Sequence, residues 1–132
     1  MIVVDTNVLV RLLVIDDPQQ CALVRSLFES ETIRVLRTVL LESEWVLRAR
    51  LQVERERIFA FFIGLADSVN VEIEDEAIVR DALSIYDAGL DFADAMHAAA
   101  AGTESIVTFD ERFAKRARKL KRSVRPLGSR AS

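Results

Sequence analysis

Short β-branched runs alternate with longer segments of helical period along the whole chain. Ile2-Val3-Val4 predicts a buried strand that ends at Asp5. Val8 to Val14 reads as a helix with Asn7 as its N-cap. Asp16-Asp17-Pro18 opens a longer helix carried by Gln19 to Ser30, with proline at the first helical position, where its missing N–H costs nothing. Ile33 to Leu36 predicts a second strand. Thr38 is placed to cap a helix from Val39 to Arg50, whose closing arginines suit the negative end of its dipole. From Arg55 to Ser68, Ile58, Phe59, Phe62, Ile63 and Ala66 recur at core spacing.

Val69 to Ile73 predicts a third strand, and Glu74 to Ala88 a helix stopped by Gly89. Asp91 is placed to cap the alanine-rich helix Phe92 to Ala101, which Gly102 closes. Ser105 to Thr108 reads as a fourth strand, followed by Asp110 and a basic helix to Leu120. Val124 to Leu127 reads as an edge strand, since Pro126 cannot serve a central ladder. Short strands alternating with helices predict an α/β fold: a short-stranded, mainly parallel sheet with helices on both faces, three layers in all. With no low-complexity linker and no fixed-period repeat, residues 1–132 read as a single domain.

Composition narrows the function classes. At 51% apolar and 30% charged residues, the chain is expected to fold and not to remain disordered. The longest apolar run, Ile58 to Ala66, is far short of the roughly 18–20 residues of a membrane span, and the start of the chain lacks the basic region of a signal peptide. A cytoplasmic location with no membrane contact is therefore expected. Single Cys21 and single His97 exclude a disulfide framework, a cysteine-rich metal site and a multi-histidine zinc site. The net charge of −3 hides an asymmetry: from Arg112 onward there are nine basic residues and no acid, against nine basic and twenty-one acidic before it.

In parallel α/β sheets, ligands sit beyond the carboxyl ends of the strands. Asp5 closes the first strand and Asp110 follows the fourth, so both are expected on one sheet edge. Glu42 lies in the first turn or so of the helix after strand two, and Asp94 in the first turn of the alanine-rich helix. Clustered carboxylates raise one another's pKa, and an all-oxygen set without histidine favours Mg²⁺ or Mn²⁺ over zinc. Each acid also has a plainer role: Asp5 as a turn residue, Glu42 as a solvated helix residue like Glu44, Asp94 as half of a capping pair with Asp91, Asp110 as a helix cap.

Taken together, the blocks carrying these acids are similar to those of a known family. Residues 3–10, Val-Val-Asp-Thr-Asn-Val-Leu-Val, resemble the opening of PIN-domain ribonucleases, particularly the VapC toxins of bacterial toxin–antitoxin pairs. Leu41-Glu42-Ser43-Glu44-Trp45-Val46-Leu47 resembles their second acidic motif, Asp91-Phe92-Ala93-Asp94-Ala95-Met96-His97 the third, and Val107-Thr108-Phe109-Asp110 the closing Thr-x-Asp block. The resemblance implies a PIN-like fold and metal-binding, catalytic acids at Asp5, Glu42, Asp94 and Asp110. It also matches Thr6 and Asn7 to the supporting polar pair, and Thr108 to the hydroxyl near the site. It further implies a homodimer and a cognate VapB-like antitoxin covering the site.

The chemistry expected is hydrolysis of RNA by metal-activated water, which needs no protein nucleophile. Arg112, Lys115, Arg116 and Lys119 share a helical face and are candidate phosphate contacts, as is Arg11; the plainer role of the basic face is a solvated helix end. His97, one turn after Asp94, reads as packed or half exposed, Trp45 as core, Cys21 as a small buried residue, and Phe59, Phe61, Phe62, Phe92, Phe109 and Phe113 as core or interface. A dehalogenase-type phosphotransferase would need an aspartate where Asn7 stands, and a receiver domain an acidic pair by the first strand. The remaining alternative is a catalytically inactive PIN-like module that binds RNA.

Overall fold

The computed structural model describes residues 1–128 and contains seven α-helices and five short strands among them, the α/β class expected. The chain divides into two compact units, Met1–Arg80 and Asp81 onward.

The first unit is built on a parallel sheet of β1 (Ile2–Val3), β2 (Ile33–Val35) and β3 (Val71–Ile73) in that order. Its register sets Ile33 against Val71 and Val35 against Ile73, and all four are buried. β1 is the edge strand, and Val3 is 55% exposed while Val4 is buried, which corrects the expectation of a buried run from Ile2 to Val4. Successive side chains of a strand point to opposite faces, so Val3 faces away from the side that covers Val4.

Helix α1 (Thr6–Val10) begins two residues before the expected start, because Asp5 and not Asn7 is its cap. Helix α2 (Pro18–Ser30) is capped by Asp17, whose Oδ1 accepts from the N–H groups of Gln19 and Gln20 at 3.1 Å. Helix α3 (Arg37–Trp45) starts ahead of Thr38, with Leu36 at the cap position and no capping side chain of its own. Its first N–H is satisfied from outside: Arg37 N–H donates to Glu74 Oε1 at 2.9 Å, just past β3. A single π-helical turn, Val46–Arg50, follows, and Leu51 N–H donates to Val46 O to close it.

Helix α4 (Arg55–Asp67) buries Ile58, Phe62, Leu65 and Ala66 at helical spacing, with Phe59 and Ile63 half-buried. Helix α5 (Glu76–Asp87) runs through the boundary between the units. In the second unit, α6 (Phe92–Ala101) has the predicted bounds; Asp91 occupies its cap position without a capping hydrogen bond from its side chain. Tyr86 meets Phe92 edge-on at 5.1 Å, a favourable aromatic geometry. Strands β4 (Ile106–Thr108) and β5 (Val124–Pro126) form a separate two-stranded parallel ladder, and α7 (Glu111–Lys119) connects them. Pro126 closes β5, an edge strand since the ladder has only two, as its missing N–H requires. Among the described residues no helix is long and apolar enough to cross a membrane.

Candidate active site

Asp5 stands directly past β1, extended, and its Oδ1 accepts from Val8 N–H at 3.1 Å. Capping fixes the carboxylate at the carboxyl end of its strand and leaves the second oxygen for other partners. The neighbouring Thr6 is buried and donates its hydroxyl to Glu42 Oε1, a short contact between α1 and α3. Thr6 therefore brings Glu42, otherwise exposed on α3, to the helix that Asp5 starts. Asn7 is exposed, and its carbonyl accepts from Arg11 Nη1 at 2.7 Å.

The face of α3 differs from the expectation in two places. Glu44 is not solvated: it is 3% exposed, with Oε2 2.7 Å from Arg48 Nε one turn on. Trp45 is not core but 51% exposed. The same rotation of the helix explains both, since the guanidinium of Arg48 satisfies a buried carboxylate and the next residue is turned outward. Phe109 likewise lies on the surface, while Cys21 is buried and His97 is exposed.

The second unit gathers the other two acids. Asp94 is half-buried in the first turn of α6, and its pKa lies above the ordinary aspartate value. Burial is the largest cause, the charges of Asp91 and Asp110 add to it, and nearby His97 opposes it. Asp110 caps α7 through Oδ1, 2.9 Å from Phe113 N–H, while its own N–H donates to Thr108 Oγ1 at 3.0 Å. Thr108 thus holds the backbone of Asp110 at the end of β4.

On α7, Phe113, Ala114 and Ala117 are buried and Arg112, Lys115, Arg116 and Lys119 are exposed. Among the described residues no ion pair engages Arg112, Lys115 or Lys119. Arg116 and Lys119 line a recess of about 340 Å³ with Gly89, Leu90 and Leu120. In the first unit, a pocket of about 390 Å³ is lined by Asp5, Asn7, Val8 and Arg11 of the α1 region and by Gln20, Leu23 and Val24 of α2. Gln20 and Leu23 carry no sequence signal beyond lying on one helical face, and nothing in the sequence sets them beside Asp5.

The donor set fits a hard divalent cation. It consists of carboxylates supported by hydroxyls, and Asp94 is a carboxylate whose charge is opposed by burial and by its neighbours. In neither unit, among the described residues, do three or more His, Cys, Asp or Glu side chains form a ready metal cage. The first unit holds Asp5 and Glu42, joined through Thr6, and the second holds Asp94 and Asp110.

Asp5 and Asp110 thus stand past the carboxyl ends of parallel strands, where ligands of α/β proteins sit. The PIN domain model matches residues 2–119, and the chain belongs to that family, whose members are generally nucleases that typically use divalent metal ions. No curated protein matches the chain.

Proposed function

We propose that the chain is a metal-dependent endoribonuclease and acts as the VapC-type toxin of a toxin–antitoxin pair. The observation that carries the nuclease reading is the state of Asp94, a carboxylate held half-buried beside Asp91 and Asp110. Burial and the neighbouring carboxylates oppose the charge of Asp94, and a bound cation would offset both. Asp5, Glu42, Asp94 and Asp110 would hold Mg²⁺ or Mn²⁺, which supplies charge neutralisation at the phosphodiester and lowers the pKa of a bound water.

The protein's own residues do the positioning. The caps at Asp5 and Asp110 lock those carboxylates at strand ends, Thr6 orients Glu42, and Thr108 orients the backbone of Asp110. The exposed cations Arg112, Lys115, Arg116 and Lys119 contact RNA phosphates, and Arg11 serves the same purpose near Asp5. Both units act as one domain in this reading, in keeping with a family match that runs through both. The toxin role, the homodimer, the VapB-like antitoxin and the cytoplasmic location rest on the resemblance of the four acidic blocks.

The test is incubation of the purified chain with total cellular RNA in Mg²⁺ or in EDTA, with cut ends mapped by sequencing. Discrete cuts that require metal are expected. A folded protein that binds RNA in Mg²⁺ and leaves it intact would replace this reading with the non-catalytic RNA-binding module.

A further inference from the structure

The pocket between α1 and α2 is not needed to hold the acids, yet Asp5 lines it. Its walls come from one face of each helix: Asn7, Val8 and Arg11 on α1 and the turn after it, Gln20, Leu23 and Val24 on α2. Three features of it call for a ligand. Leu23 is 71% exposed, a large apolar side chain with nothing over it. Arg11 Nε is buried without a hydrogen-bond acceptor, and its nearest carboxylate oxygen, Asp16 Oδ1, is 4.0 Å away. A buried donor left unsatisfied is costly and points to a missing partner. Finally, Gln20 adds an exposed amide able both to donate and to accept.

The volume, about 390 Å³, falls at the low end of the roughly 300–1,000 Å³ of small-ligand pockets. It suits one flat heterocycle with its sugar and not a helical segment of a protein. The chemistry is equally particular: an apolar wall, an amide at its edge and a guanidinium for an anionic or hydroxylated backbone. Unpaired RNA offers that combination in each nucleotide, through a stacking face, a hydrogen-bonding edge and a phosphate. We propose that this pocket receives one unpaired nucleotide of the RNA strand next to the cleaved bond, its base against Val8, Leu23 and Val24, its edge read by Gln20 and its backbone held by Arg11. The inference rests on the nuclease reading for what lies at Asp5, and it assigns to this pocket part of the sequence preference of the cut.

Gln20→Ala and Leu23→Ala test it, because both side chains are exposed and neither belongs to the acidic set. Affinity for randomised single-stranded oligoribonucleotides is measured by fluorescence anisotropy, and cut-site preference by sequencing of the products in Mg²⁺. Leu23→Ala is expected to weaken RNA binding at least about fivefold, the loss of the apolar surface that one base covers. Gln20→Ala is expected to flatten the preference at one position flanking the cut. Parent-like affinity and preference in both variants would overturn the proposal. So would variants that keep RNA binding and lose only a protein partner. If the parent binds RNA without cutting it, the nuclease reading fails, and the affinities of the variants still decide the pocket. If the parent neither binds nor cuts RNA, both fall.

Discussion

The two units use the same side-chain chemistry at opposite costs. In the first, Asp5 and Glu42 are engaged in ways that stabilise the fold, one as a helix cap and the other as acceptor for a buried threonine. In the second, Asp110 also caps a helix, but Asp94 is held where burial and two neighbouring carboxylates oppose its charge. A carboxylate that helps the fold carries little information about function, because folding alone explains it. One that the fold must tolerate is the stronger pointer to a cation or substrate. The contrast also separates two phenotypes that loss of activity alone would merge.

The largest expected effect is on cleavage. Asp5→Asn and Asp94→Asn should each lower the rate by more than about a hundredfold, beyond the 10–100-fold typical of groups that only support a metal ligand. A gel-based single-turnover assay decides it, and parent-like rates in both would remove the acidic set from the chemistry. Next in size is RNA affinity. Replacing Lys115 and Lys119 together by Ala should reduce the dependence of log K on log[salt] by about 1.4, two phosphate contacts on a single strand. An unchanged slope would leave α7 as a solvated helix.

Stability effects are smaller and carry opposite signs. Asp5→Ala removes the cap of α1 and should cost about 1 kcal/mol in chemical denaturation. Asp94→Asn should do the reverse. The fold raises the pKa of Asp94, so its contribution is fully present below the unfolded value and is lost as pH rises through the folded one. Asparagine removes that loss. In EDTA the variant should therefore melt above the parent at neutral pH, and the difference should close below about pH 4, where the aspartate is protonated in both states. A difference independent of pH would mean that the effect is one of packing and not of charge.

How far these features could be read in the sequence depended on how local their causes are. Asp17-Pro18 and the Asp91…Gly102 bracket announce α2 and α6 because start and stop signals lie within one turn of the helix ends. The start of α3 was not legible, since its first N–H is satisfied by Glu74, distant in sequence and close only in the fold. The acids at Asp5 and Asp110 were visible as residues ending strands, and both prove to be caps as well. Glu44 and Trp45 exchanged their expected places because adjacent helical positions differ by about 100° and the spacing alone does not say which face is covered. The Arg48 partner, four residues on, was the available clue. The pocket at Gln20 and Leu23 had none, because it arises from two helices meeting.

One sample tests the central contrast most directly: Asp94→Asn beside the parent, with RNA cleavage measured in Mg²⁺ and thermal unfolding measured at pH 7 in EDTA. The variant is expected to lose its metal-dependent cuts and to gain thermal stability in the same preparation. A variant that cuts at the parent's rate, or one that is folded but melts lower, would contradict the contrast.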